Sequence, residues 1–306
     1  MPRKSKDTDY SHFIDFEQAI TNCYICDSDD VYFSKKVNGF SVYRCKKCKL
    51  IWIGDVINEE KLKSFYGSGY YTNFYVERTG YKDYVGHENN YRKNARNNIN
   101  IVSRVKTIDF LRVLDIGCAC GFYIDEIKRL KNCDVYGLEF SEWAIKYATE
   151  TLNLKNIYFQ EKEYQYDFES NYFDIVFVLG TIEHVTKPRE MLAEVYRILK
   201  PGGIIMITTV DTQNYIPLYL IKPPEHLFLF NHNNLPILLR NFGFKTLINE
   251  PYFTHYYVFE ILQVLSNFPF LKFLAPISRL TYKLFFRLSF KSPSNEMTIV
   301  AQKELE

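Results

Sequence analysis

Between residues 112 and 210 short apolar runs alternate with amphipathic stretches. The runs "RVLDIG", "DVYGLEF", "NIYFQ", "FDIVFVLG" and "GGIIMITT" are short, rich in β-branched and aromatic residues, and end at glycine or polar residues, which predicts strands. Among the intervening stretches, "REMLAEVYRILK" places Met191, Leu192, Val195, Ile198 and Leu199 on one helical face. Lys200-Pro201-Gly202-Gly203 then stops that helix and turns the chain into the next strand. Strand–helix alternation of this kind predicts right-handed crossovers and an α/β fold with a parallel sheet covered by helices on both faces. Ligands of such sheets bind at the carboxyl ends of the strands, near the topological switch point.

Upstream the pattern changes. A polar helix is expected from Glu88 to Val105, and residues 56–90, with "SFYGSGYYTNFYVERTGYKDYVGHENNY", show no clean period and read as a tyrosine-rich linker or cap. Residues 21–55 contain the hairpin pattern "YFSKKVNGFSVYR" around Asn38-Gly39, preceded by a tail over 1–20. Near the other end, residues 254–292 form an insertion before the last strand, "NEMTIVAQK". In it Arg279, Lys283, Arg287 and Lys291 recur every fourth residue, with Leu280, Leu284, Phe285 and Leu288 between them. That spacing describes a basic amphipathic helix over 276–291, suited either to an acidic membrane surface or to packing as a lid or dimer helix.

Composition narrows the function classes. Among 306 residues the net charge is +2, which gives no global electrostatic case for nucleic acid. The 25 tyrosines and 25 phenylalanines accompany abundant Lys, Asn and Ile, as an AT-rich coding bias produces. The first ten residues lack the apolar core of a secretory signal, and no uncharged apolar run reaches the roughly 18 residues of a membrane span, so a cytoplasmic protein is expected. Seven cysteines, an odd number, argue against a disulfide framework.

Four of those cysteines form two C-x2-C pairs, Cys23 with Cys26 and Cys45 with Cys48, separated by 18 residues. Two such knuckles supply four soft thiolates in a tetrahedron, the donor set of a structural Zn2+ ion; redox pairs are the alternative. A closed four-thiolate site has no open position for substrate, so its contribution is to folding.

The segment "VLDIGCACGFY" ends the first predicted strand. A dinucleotide fingerprint would need glycines at 119 and 122, where Ala119 and Phe122 stand, and a Walker A ending is missing. What remains is Asp115-x-Gly117-x-Ala119-x-Gly121, small residues at alternate positions after an acidic strand end. Glu139 ends the next strand, 24 residues later, where a carboxylate accepts from both hydroxyls of a ribose. Acids at both strand ends suit a cationic cofactor carrying an amino group, which describes S-adenosylmethionine and not NAD.

Residues 91–306 resemble the class I S-adenosylmethionine-dependent methyltransferases. "VLDIGCACGF" resembles the family's first motif and "VYGLEFS" its second; "FDIVFVLGTIEHVTKP" resembles the fourth strand with its signature, and "LKPGGIIMITT" the fifth. "PPEHLFLFNHNNLPILLRNFGF" resembles the segment leading to the last strand pair. The resemblance implies a Rossmann-like, doubly wound, mostly parallel seven-stranded sheet with an antiparallel last strand. It also implies a cofactor site at Asp115, Gly117, Cys118, Ala119, Gly121, Glu139, Phe140 and Leu179. Two positions depart from the family: Ala119 replaces its middle glycine, and "QEKEY" replaces the Gly-Asp whose acid reads adenine, leaving Glu161 and Glu163 as alternatives.

Cys118 and Cys120 are expected as small side chains in a tight turn. His184 in "IEHV", with Glu183 beside it, and His226 in "PPEHLF", with Glu225 beside it, are the candidates for contact with the acceptor or for general-base work, because a hydroxyl acceptor must lose its proton. A ribbon placed before this fold resembles bacterial methyltransferases acting on sugars and other small metabolites, so a small-molecule O-methyltransferase is expected. The rivals are an RNA base methyltransferase, since ribbons also precede some of those, and a non-catalytic binding protein that keeps the fold.

Overall fold

A computed structural model describes residues 9–66, 70–71, 83–162, 164–213, 221–259, 262, 272–274, 276–277, 280 and 288–304. Its centre is a seven-stranded sheet. Five strands run parallel in the order β8 (Ile157–Phe159), β7 (Asp134–Glu139), β6 (Arg112–Ile116), β9 (Phe173–Leu179) and β10 (Leu199–Val210). The antiparallel pair β13 (Ser289–Lys303) and β12 (Phe244–Tyr257) completes the far edge. The apolar runs read as strands because both faces are covered: Phe173, Ile175, Val176, Phe177 and Val178 of β9 are all buried. The chain runs outward from β6 through β7 to β8, then returns to β9 on the other side of β6. The crevice of this reversal opens where β6 ends, at Asp115 and Ile116.

The helix Glu88–Val102 starts where expected and stops three residues early. It is held to the helix Phe122–Lys131 by Arg92 and Arg96, whose guanidinium groups meet the fully buried Glu126 carboxylate at 3.2 and 2.7 Å. Burial pushes the Glu126 pKa up, but Arg96 and Arg129 outweigh it and hold it below the ordinary value.

The N-terminal residues are more firmly integrated than the sequence pattern indicates. Phe13 is buried, and β1 (Ile14–Phe16) pairs antiparallel with β5 (Val56–Ile57). β2 (Val31–Val37), β3 (Phe40–Cys45) and β4 (Ile51–Ile53) form the ribbon sheet, turned at Asn38-Gly39 with φ of 51° and 91°, as a two-residue hairpin turn with both central residues left-handed requires. This sheet takes its fourth strand, β11 (Phe228–Leu229), from the segment after β10. Within residues 56–90, Asn58 caps the helix Glu59–Phe65 by accepting from the Lys61 amide, although no period announced it.

The insertion expected over 254–292 is narrower, because β12 continues to Tyr257 and β13 begins at Ser289. Lys291 therefore lies on a strand, with its ammonium 2.5 Å from Asn97 Oδ1, and not on the expected helix face. Arg279, Lys283 and Arg287 lie outside the described residues. Among those that are described, no helix is long and apolar enough to cross a membrane.

Candidate active site

The loop after β6 is shaped by three consecutive odd-numbered residues with positive φ: Gly117 at 75°, Ala119 at 48° and Gly121 at 80°. At Gly117 a Cβ would sit 2.7 Å from Thr181 Oγ1, and at Gly121 one would sit 2.6 Å from Leu154 Cδ1. These two positions require glycine on both conformational and steric grounds. Ala119 occupies the same backbone region with a side chain, a cost of roughly 1 kcal/mol. Replacing Ala119 by glycine should therefore raise stability by roughly 0.5 kcal/mol once the greater freedom of the unfolded glycine chain is subtracted. Denaturant unfolding would show it, and a fall in stability would contradict the strain.

Glu139 organises this loop from the neighbouring strand. Its Oε2 accepts from the Ala119 amide at 2.9 Å, and its Oε1 from the Phe140 and Ser141 amides at 2.9 and 2.8 Å. The Tyr71 hydroxyl also donates to it. Burial nevertheless pushes the Glu139 carboxyl up. Burial together with the Glu139 charge holds Asp115 well above the ordinary carboxylate range. Asp115 Oδ1 and Ser141 Oγ are buried with no protein partner. Two buried acids and two unpartnered oxygens at one strand edge fit a polar cationic ligand better than an anionic one.

Cys118 and Cys120 face different apolar clusters, one under β7 and one beside Phe122. Burial raises both thiols, Cys120 to about 12, which keeps them protonated and inert. Phe140 and Leu179 are partly buried, at the ends of β7 and β9. Of the two acids considered for adenine, Glu161 is exposed and Glu163 lies outside the described residues.

A second cluster stands past β9. One donor atom each from Glu183, His184 and His226 lie within 4.8 Å of one another, and the two imidazole rings are 5.0 Å apart edge to face. Its place in the sequence lets Glu183 orient either the His184 imidazole or the substrate; the ring itself is held by a different residue, since His184 Nδ1 donates to the Glu225 carbonyl at 2.5 Å. The Glu183 carboxylate instead accepts from Thr209 at 2.8 Å, while its carbonyl accepts from the Leu227 and Phe228 amides at 2.8 and 3.2 Å. The Glu225 side chain binds Lys222 and the Tyr70 hydroxyl. His87 and His255 lie elsewhere, against Asp83 and Asn94.

Sequence reading missed the tyrosines that join the two clusters. The Tyr66 ring lies edge-on to Phe140 at 5.3 Å, and its hydroxyl is 3.2 Å from His184 Nδ1 and 3.3 Å from the Glu225 carbonyl. Tyr71 stacks on Trp143 at 5.6 Å while binding Glu139. Nothing in the local pattern of residues 56–90 distinguishes these tyrosines from their many neighbours.

The four ribbon cysteines come together as expected. Cys23 and Cys48 sulfurs are 3.5 Å apart, and those of Cys26 and Cys45 3.7 Å. No disulfide links them, and tetrahedral thiolates at zinc distances sit about 3.8 Å apart. Each pair is followed by a left-handed residue, Asp27 or Lys49, whose amide returns to the first cysteine's carbonyl at 3.1 Å. The second knuckle docks on the segment carrying His226: Asn231 and Asn234, both buried, donate to the Cys48 carbonyl at 3.4 and 3.3 Å.

Comparison with known proteins agrees with this architecture. Residues 114–207, less than half of the chain, match the family model for a methyltransferase domain. The chain is 31% identical over 157 residues to the sterol 24-C-methyltransferase of Saccharomyces cerevisiae, covering 45% of this chain and 40% of that protein. It is 29% identical over 134 residues to the mitochondrial ubiquinone biosynthesis O-methyltransferase of Dictyostelium discoideum, covering 40% of this chain and 42% of that one. The match thus spans about two fifths of the length of these relatives. A solved structure from the Haloferax volcanii complex of the Trm112 methyltransferase activator with a methyltransferase superposes with a TM-score of 0.52 at 16% identity, over 71% of this chain and 92% of that one. The sheet order and the antiparallel last strand are those of the α/β methyltransferase fold.

Proposed function

We propose that this chain is an S-adenosylmethionine-dependent methyltransferase whose acceptor is a small molecule, methylated on a hydroxyl of a sugar or related metabolite. The observation that carries the reading is Tyr66, whose ring packs on Phe140 at the end of β7, next to the Glu139 anchor of the loop after β6, and whose hydroxyl reaches His184 of the Glu183–His184–His226 cluster. That link supports a cofactor site and an acceptor site side by side at one sheet edge, as in-line transfer requires. When bound, S-adenosylmethionine supplies a methyl group on an already activated sulfonium centre, so the protein's part is alignment and handling of the acceptor proton. Asp115 and Glu139 hold the cofactor's cationic and ribose ends; His184 and His226 meet the acceptor. The ribbon cysteines hold a structural zinc ion. The relatives' names, a sterol methyltransferase and an O-methyltransferase of ubiquinone biosynthesis, belong to small-molecule chemistry, which supports the acceptor class.

Calorimetry with S-adenosylmethionine on folded, zinc-loaded protein should show one equivalent bound. Labelled methyl should then pass into a fractionated cell extract and identify the product. His226→Ala should lower that transfer by about 100-fold with cofactor affinity retained. No cofactor binding by the intact protein would end the reading.

A further inference from the structure

Glu183, His184 and His226 carry more geometry than acceptor contact needs. We propose that these three side chains bind one divalent transition-metal ion, separate from the ribbon site. Their donor atoms already lie within 4.8 Å of one another before any ion draws them in. Ligand atoms around one ion with bonds of about 2.1 Å stand roughly 3–4 Å apart, so a small closure completes the site. Glu183 and His226 are buried, and both histidines arrive on segments locked together by the Leu227 and Phe228 amides on the Glu183 carbonyl.

The surrounding hydrogen bonds are those a metal centre uses. A ligating histidine usually donates its second ring N–H to a carbonyl or carboxylate, which fixes ring and tautomer. His184 Nδ1 does so to the Glu225 carbonyl, which leaves the lone pair of the neutral ring on Nε2. The Glu183 carboxylate is likewise oriented, by the Thr209 hydroxyl. Two imidazoles and one carboxylate suit manganese, iron, cobalt or zinc, and leave further coordination positions open for oxygen donors. The ribbon offers only thiolates, which select softer ions, so the two sites discriminate between metals.

If the acceptor sits at this edge, as the methyltransferase reading has it, the ion selects acceptors bearing adjacent oxygen atoms, and the histidines meet the acceptor through it. That use rests on the proposed function; the binding of the ion does not.

The test is Mn2+ titration of the full-length protein carrying a single equivalent of zinc, held by the ribbon thiolates, followed by loss of the electron paramagnetic resonance signal of free Mn2+. One equivalent should bind. Glu183→Gln and His226→Asn should each weaken it by at least tenfold, since even an outer partner is worth about 10–100-fold, with ribbon zinc and circular dichroism unchanged. Either variant suffices should the other fail to fold. Absence of stoichiometric binding by the unaltered protein, or equal binding by a folded variant, overturns the proposal. Mn2+ binding without S-adenosylmethionine binding upholds the metal site while refuting the methyltransferase reading.

Discussion

Replacing Cys48 with serine is expected to release the ribbon zinc and lower the melting temperature by at least about 10 °C. Zinc binding contributes roughly 10–16 kcal/mol to small zinc-dependent folds, and each kcal/mol lost lowers the melting temperature of a chain of this order of size by roughly 2–4 °C. The loss should not stay within the ribbon. The Cys48 carbonyl is the common acceptor of Asn231 and Asn234, and β4 pairs with β11 next to His226. Methyl transfer should therefore fall together with zinc content in the Cys48→Ser protein, with the seven-stranded sheet still folded. Zinc quantification with parallel activity and near-ultraviolet dichroism would measure both. Full transfer activity in zinc-free protein would show that the ribbon and the acceptor site are not coupled.

Glu139→Gln is expected to weaken S-adenosylmethionine binding by about 100-fold or more. Hydrogen bonds to a charged group are worth about 1.5–3 kcal/mol each, and each 1.4 kcal/mol is tenfold in affinity. The side chain also receives three amides of the loop and of β7's end. A glutamine must turn its NH2 group toward at least one of them, so a donor faces a donor and the loop after β6 loses its anchor. Asp115→Asn should behave differently. Burial and the Glu139 charge oppose ionisation of Asp115, so removing its charge should stabilise the ligand-free protein while weakening the cationic cofactor. Calorimetry and thermal denaturation of the two variants separate the effects: both lose affinity, and only Asp115→Asn gains stability. Unchanged affinity in Glu139→Gln would remove Glu139 from the cofactor site.

Much of this protein is determined by local sequence. Strands buried on both faces must be short continuous apolar runs, so β6, β7, β9 and β10 are legible from composition alone. The loop after β6 is legible because close approach and left-handed φ restrict side chains; Ala119 shows the rule by bearing the strain of the one exception. The paired cysteines are legible because a metal knuckle is built within four residues. Tertiary structure decided the rest. That β11 would complete the ribbon sheet, that Glu225 would orient His184 through its carbonyl from 41 residues away, and that Tyr66 and Tyr71 would cover the strand edge depend on contacts between distant segments. Backbone carbonyls have no sequence signature, and one tyrosine among 25 gains its meaning only from the neighbours that packing supplies.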